Sequence, residues 1–280
     1  MVLIHEKSAI LKLIICVLVV CIVIGMFNKM IVLTILVPVY NEEKTLQELL
    51  LRIEQQQFHS VSVEKEVLVI DDASTDQSAH IARAFCATRE QFRFHALPGP
   101  NGGKGRALQW GYAQGRGEVF LVQDADLEYD TGDYEKLILP IVRGETQFVM
   151  GVRFSEQCQS YWRLRHGMRE KSYALLLNYS GQLLNMLVNV LYRGSLLDHS
   201  TMFKVYHRDL LSRIRLDNVG FDLELEMVCK CLRNKIHPVQ IPVRYHARSQ
   251  SEGKKIRFFS DGIKFIRAVI KYRLMPLSRL

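Results

Sequence analysis

Residues 31–40 read Ile-Val-Leu-Thr-Ile-Leu-Val-Pro-Val-Tyr, an apolar, β-branched run. Such a run is a strand buried on both faces, which requires helices above and below the sheet. A helical pattern follows through Leu46, Leu49, Leu50 and Ile53. The alternation then repeats. Glu66–Ile70 reads as a strand, residues 74–85 as a helix capped by Ser74 or Thr75, and Phe92–Ala96 as a short strand. The glycine-rich stretch 99–105 precedes a helix from Arg106, and Val119–Val122 and Phe148–Val152 read as further strands. Strands alternating with helices specify an α/β domain with a mostly parallel central sheet.

In such sheets ligands bind at the carboxyl ends of the strands. Three of the strands here end in acids: Glu42 and Glu43, Asp71 and Asp72, then Asp124 and Asp126. Carboxylates crowded at one edge repel one another unless a divalent cation sits among them. Asp124-Ala125-Asp126-Leu127-Glu128 sharpens this point. If extended, it turns three carboxylates to one side, as hard oxygen ligands for Mg²⁺ or Mn²⁺ shared with a diphosphate.

Other chemistries are disfavoured. Gly105 stands where a phosphate loop needs Ser or Thr, and no GxGxxG follows the first strand. The six cysteines include no CxxC pair, and Cys229 and Cys231 diverge on a helix. With 48% hydrophobic residues the chain is not disordered, and with 24% charged residues it is not a multi-span membrane protein. The net charge of +8 lies wholly in residues 244–280, with ten Lys/Arg against two Asp/Glu. A nucleic-acid binder would spread that charge, so a local anionic partner is expected and nucleic acid is not.

The segments ILVPVYNEE (35–43), EVLVIDDASTD (66–76), NGGKGRAL (101–108) and VQDADLEYD (122–130) resemble family 2 glycosyltransferases of the GT-A fold. GVRF (151–154), LDHSTMFKVYHRDLL (197–211), GFDLELE (220–226) and YHARSQSEGKKIRFFSDGI (245–263) resemble the branch of dolichyl-phosphate mannose synthases and bacterial polyprenyl-phosphate sugar synthases. The resemblance implies a nucleotide-sugar donor, a polyprenyl-phosphate acceptor and a divalent metal. It implies that Pro38, Tyr40, Asn41 and Glu42 line the nucleotide pocket, and that Asp71 and Asp72 close it. Asp124 would lie against the ribose or donor sugar, and Asp126 and Glu128 would hold Mg²⁺ or Mn²⁺, Glu128 standing where many relatives have Gln. Lys104 would reach the nucleotide side, and Arg153 the acceptor phosphate. Lys204, Arg248 and Ser249 would grip the donor diphosphate, and Asp222 and Glu224 the sugar hydroxyls. Plainer roles compete. Asp71 or Asp72 could cap a helix, Arg153 could form a surface ion pair, Glu224 and Glu226 could share an exposed helix face, and His199 and His246 could be packing residues. Asp198-His199-Ser200-Thr201 departs from the D-x-E-T of many relatives, which leaves the sugar open.

Residues 8–27 are apolar apart from Lys12 and long enough for one membrane span, since twenty helical residues cover roughly 30 Å. Residues 1–30 are therefore expected to anchor the chain, 31–243 to form the catalytic domain and 244–280 to complete the donor site and lie on the membrane. Residues 173–192 read as an interfacial or a core helix, and Ile263, Ile266 and Ile270 among Lys264, Arg267, Lys271 and Arg273 as a basic amphipathic helix. Arg163, Arg165 and Arg169 add charge near the acceptor. The catalytic domain would face the cytosol, where nucleotide-sugars are. The expected reaction is inverting attack by a lipid phosphate oxygen. That group is largely ionised near neutrality, its second pKa being about 6, so it needs no dedicated base. A glycan or glycolipid hydroxyl acceptor would need one, with Asp222 or Glu224 the first suspects. A catalytically dead membrane adaptor that binds nucleotide-sugar is the third reading.

Overall fold

The computed structural model describes residues 30–154, 171–220, 222–246 and 258–276. The expected anchor at 8–27, the arginines 163, 165 and 169, and Arg248 and Ser249 lie outside the described residues.

The chain runs β1 (Ile31–Val39), α1 (Leu46–Gln55), β2 (Val63–Asp71), α2 (Ser78–Cys86), β3 (Phe92–Ala96), α3 (Lys104–Gln114) and β4 (Val119–Val122). It continues through α4 (Tyr134–Val142), β5 (Phe148–Phe154), α5 (Lys171–Tyr192), β6 (Lys204–His207) and α6 (Arg208–Arg213). It ends with α7 (Leu223–Arg233), β7 (Val239–Arg244) and α8 (Phe258–Leu274). The seven strands form one sheet in the order β3-β2-β1-β4-β6-β5-β7. All neighbours are parallel except β6, which is antiparallel to both β4 and β5. The expected mostly parallel α/β sheet is therefore present.

Strand periodicity explains the layers. Leu33, Ile35 and Val37 of β1 pack on α1, α2 and α4, whereas Leu36 points the other way onto Ala107 and Leu108 of α3. A third cluster packs α5, α7 and α8 on Phe148, Met150 and Tyr206. Both faces are covered, as the β1 sequence demands. Helix α2 starts at Ser78 rather than at Ser74, because Ser74 and Thr75 bond back to Asn41 and Asp76 accepts the Ser78 N–H at 2.9 Å. Cys229 and Cys231 are buried on α7, and burial pushes the Cys229 thiol up to about 12, as for unreactive packing cysteines.

Glu66 is the polar knot of the sheet. It is 1% exposed, accepting from the Thr34 hydroxyl at 2.6 Å, the Arg116 N–H at 2.6 Å and the Arg93 and Arg116 guanidinium groups at 2.8 and 2.9 Å. Burial alone would raise its pKa, but these hydrogen bonds and the Arg116 charge lower it. Both arginines are largely solvated and add little. Glu66→Gln is expected to cost about 2 kcal/mol, since it weakens the buried bonds. A depressed folded pKa means that the wild-type stabilisation is complete above the ordinary glutamate range and fades as pH falls through the lower folded value. Urea unfolding at neutral pH and near pH 3 should therefore show the wild-type and Glu66→Gln proteins converging in acid.

Candidate active site

β2 leaves β1 on one side and β4 on the other, which makes the β1–β4 junction the place where a crevice opens. β4 accompanies β1 only from Leu33 to Leu36. Pro38, which has no N–H to give to a ladder, lies past that point. The loops after β1, β2 and β4 therefore meet at one edge, with Tyr40 exposed at its mouth.

These loops are laced together. Asn41, at φ 53°, accepts the Thr75 N–H on Oδ1 at 2.8 Å and donates its own N–H to Ser74 Oγ at 3.0 Å. The Glu42 N–H donates to Ser78 Oγ at 2.8 Å. The Thr45 hydroxyl donates to the Ala125 carbonyl at 2.6 Å, tying the first loop to the acidic turn.

The two adjacent aspartates divide their work. Asp72 accepts the Gly102 and Gly103 N–H groups on Oδ2 at 3.0 and 2.6 Å, and Arg106 Nη2 lies 2.7 Å from its other oxygen. It holds the glycine loop in place. Asp71 accepts the Ser74 N–H at 3.2 Å, while its Oδ1 is buried with no hydrogen-bond partner among the described residues. Neither caps α2. Lys104 opens α3, where the helix dipole disfavours a cation. Its ammonium bonds to Asp124, and although burial alone would lower its pKa, the charges of Asp124, Glu224 and Asp126 raise it. Gly105 is required next to it. A Cβ there would stand 2.6 Å from the Gly220 carbonyl, so only glycine lets α3 seat on the loop before α7.

The acidic motif is a turn rather than an extended stretch. Leu127 sits at φ 61°, and Asp126 accepts the Glu128 N–H at 3.1 Å. The left-handed residue breaks the alternation that would have aligned the three carboxylates. Asp124 faces Lys104, while Glu128 accepts the Tyr245 hydroxyl at 2.9 Å. The Glu128 carbonyl also accepts the His246 N–H at 2.9 Å. The chain leaving β7 thus crosses the turn two residues before Arg248. Among the described residues no three His, Cys, Asp or Glu side chains form a metal cage. A Mg²⁺ or Mn²⁺ shared with a diphosphate takes only one or two carboxylates, and the oxygen donors on this turn fit that chemistry.

On the other side of the edge, Arg153 forms a buried fork with Asp198, Nε to Oδ2 at 2.7 Å and Nη2 to Oδ1 at 2.8 Å. Its guanidinium carbon lies 5.2 Å from the Tyr245 ring centroid. Burial opposes both charges, yet the partner holds Arg153 well above and Asp198 below their ordinary pKa values. The loop bearing Asp198 is clamped by α5. Asn185 and Asn189 donate to the Leu196 carbonyl at 2.7 and 2.8 Å, and Asn185 accepts the His199 N–H at 3.1 Å. His199 is buried, bonded to Ser200 Oγ at 2.7 Å, and burial drives its pKa down to about 4.

Lys204 opens β6, and its Nζ lies 3.0 Å from Glu224 Oε2. Glu224 and Glu226 are buried, which overturns the exposed helix face as their reading. Glu226 pairs with Lys230 at 2.8 Å and accepts the Asp217 and Asn218 N–H groups. Asp222 stands at the N-cap of α7. The sequence reading gave no role to Tyr245, Arg106 or Thr45 and took Asp198 only as a departure from D-x-E-T, because their roles depend on partners distant in the chain.

A mostly parallel sheet with an acidic turn and a glycine loop at its switch point is the layout of an α/β domain that binds its ligand at the strand ends. The sequence model described as glycosyl transferase family 2 matches residues 34–215, and the chain belongs to that family. It is 28% identical to mouse dolichyl-phosphate beta-glucosyltransferase over 88% of this chain and 76% of that protein. It is 28% identical to a Pseudomonas fluorescens undecaprenyl-phosphate 4-deoxy-4-formamido-L-arabinose transferase over 64% of this chain and 48% of that one. Among solved structures it resembles Mycobacterium tuberculosis glucosyl-3-phosphoglycerate synthase with Mn²⁺, UDP and glucosyl-3-phosphoglycerate, with a TM-score of 0.62 and 19% identity. That match covers 88% of this chain and 81% of the other, and the shared feature is the GT-A-like fold.

Proposed function

We propose that this chain transfers a sugar from a nucleotide-sugar, GDP-mannose or a UDP-sugar, to a polyprenyl phosphate, with inversion at the anomeric carbon. The names of the curated relatives support a polyprenyl-phosphate acceptor. The observation that carries the choice of acceptor is the Arg153–Asp198 fork, which holds a planar cation in place. A hydroxyl nucleophile needs a base. Glu224 is ion-paired with Lys204 and His199 is buried and bonded to Ser200, which leaves Asp222 at the N-cap of α7 for that role. An ionised phosphate needs none, and Arg153, oriented by Asp198, offers it a planar cation.

Asp71, with its unpartnered oxygen, is suited to the base or ribose, beside Pro38, Tyr40, Asn41 and Glu42. Asp126 would hold Mg²⁺ or Mn²⁺, with Glu128 oriented beside it by Tyr245. Such an ion supplies Lewis-acid stabilisation of the leaving diphosphate. Lys204, with Arg248 and Ser249 from the tail, would neutralise charge on the leaving group.

A membrane-surface role fits two exposed stripes. On α5, Leu183 and Val190 are 64% and 69% exposed, in line with Tyr179 and Met186. On α8, Ile263, Ile266, Ile270 and Leu274 are exposed at helical spacing beside Arg267, Lys271 and Arg273. The two helices are joined by the Tyr192 hydroxyl on the Val269 carbonyl and by Arg273 Nε on the Leu191 carbonyl, both at 2.7 Å. Among the described residues no helix is long and apolar enough to cross a membrane. Each basic residue near anionic lipid contributes about 1 kcal/mol.

The test is a panel of nucleotide-sugars with dolichyl and undecaprenyl phosphates, read by mass spectrometry of the lipid, with flotation on vesicles containing anionic lipid. A sugar-phosphate-lipid is expected with one donor, together with flotation that weakens in Ile266→Asp/Ile270→Asp. Equal transfer to a lipid alcohol lacking phosphate would refute the phosphate acceptor.

A further inference from the structure

We infer that Glu224 is a positioning residue, which holds the Lys204 ammonium at the carboxyl edge of the sheet for the donor diphosphate and does not itself touch the sugar. The inference rests on the reading above, in which a nucleotide-sugar occupies that edge.

Glu224 lies in the first turn of α7 and is 3% exposed, and Lys204 is fully buried. β6 runs antiparallel to β4, so its first residue, Lys204, stands beside the strand end from which the Asp124 turn departs. The ammonium is fixed from two directions, by Glu224 Oε2 at 3.0 Å and by the Thr201 carbonyl. An ammonium has three protons. The Thr201 carbonyl takes one, and Glu224 holds the ammonium as an ion pair, which leaves a proton for a ligand. Glu224 cannot readily turn to a sugar hydroxyl without abandoning Lys204 in the interior, where an unpaired charge is costly.

Its surroundings fit this role. Both Glu224 carboxylate oxygens and the Tyr206 hydroxyl are buried and without hydrogen-bond partners among the described residues, so the hold of Glu224 on Lys204 is that of an ion pair. The groups facing the pair are Lys104 and Tyr112 from α3, Tyr206 from β6, and Asp198 and His199 from the loop before β6. Glu224 also acts on Lys104, so one carboxylate serves two ammonium groups at the edge. A buried ion pair kept only for stability can be replaced by neutral residues at little cost or with a gain. A pair kept to present a cation cannot, and that difference makes the two roles separable. Burial already lowers the Lys204 pKa and outweighs the support of Glu224. Removing that support lowers it further.

The experiment compares wild type, Glu224→Gln, Lys204→Gln and the double variant in the full chain. Thermal unfolding, calorimetric binding of UDP and GDP with Mg²⁺ from pH 6 to about pH 10 and sugar transfer over the same range are measured. Glu224→Gln is expected to bind its nucleoside diphosphate about tenfold more weakly near pH 8 and to lose binding at least about one pH unit earlier on the alkaline side. Lys204→Gln and the double variant should agree within about twofold, because Glu224 acts through Lys204. Wild-type affinity in Glu224→Gln at every pH, or additive losses in the double variant, would overturn the inference. If Glu224→Gln does not fold, Glu224→Asp retains the charge and lengthens the contact. A partial loss of nucleotide affinity there supports the positioning role, and no loss overturns it. Should the wild type bind nucleotide yet transfer no sugar to any lipid phosphate, the proposed function fails while the binding series still decides the role of Glu224.

Discussion

Asp126→Ala is expected to lower sugar transfer by about 100-fold or more while leaving the protein folded, since positioned electrostatic groups at a leaving oxyanion carry effects of that size. Asp126 is half-buried on a loop, and its bond to the Glu128 N–H is local. Asp124 is different, because its loss would strand the Lys104 ammonium, which is 8% exposed. Asp124→Asn should therefore lower the melting temperature more than Asp126→Ala does. Steady-state transfer across a Mn²⁺ titration separates affinity from turnover. If Asp126 holds the ion, excess Mn²⁺ restores part of the lost rate. Activity unchanged in Asp126→Ala would sink the metal assignment. Glu128→Gln is expected to be milder, because Tyr245 can donate to an amide oxygen as it does to the carboxylate.

The sheet was legible because β1 says so much. A nine-residue strand that is almost wholly apolar and rich in β-branched side chains can be satisfied only between two helical layers. The acid-bearing strand ends were legible for the same reason, since a parallel sheet sends them all to one edge. Orientation within the edge was not. Sequence periodicity turned Asp124, Asp126 and Glu128 to one side, but Leu127 enters the left-handed region and redistributes them. Adjacent Asp71 and Asp72 looked equivalent, yet one anchors the glycine loop and the other keeps a buried oxygen without a partner. Glu224 and Glu226 had the charge pattern of a solvent face, because their lysine partners are twenty residues upstream and four downstream. Burial of a charge is decided by such partners, and only the nearer one falls at helical spacing. Within residues 173–192 the asparagines show no partner in the sequence. They are the clamps that fix the Asp198 loop.

Arg153→Lys is the expected result that most directly tests the acceptor side. The change keeps the charge and removes the planar fork, so Asp198 keeps a cation within reach and loses its second parallel bond. Removing Arg153 altogether would leave Asp198 buried without its partner, at a cost of about 3–5 kcal/mol, and would confuse instability with function. The lysine variant is expected to lower kcat/KM for the lipid phosphate by about 100-fold, with the affinity for nucleoside diphosphate within about twofold of wild type. Asp198→Asn should produce a smaller loss of the same kind, because an amide can hold one arm of the fork. Both effects would then appear in the acceptor KM and in turnover but not in donor binding. Donor affinity falling in parallel with acceptor affinity would move Arg153 to the diphosphate and leave the acceptor phosphate without its cation. Arg153 is engaged by Asp198 and Tyr245, whereas Lys204 is engaged by Glu224 and the Thr201 carbonyl, so each cation has its own partners although Asp198 also bears on Lys204. Two anions must be kept apart until one displaces the other, and a separate cation for each is what an in-line exchange requires.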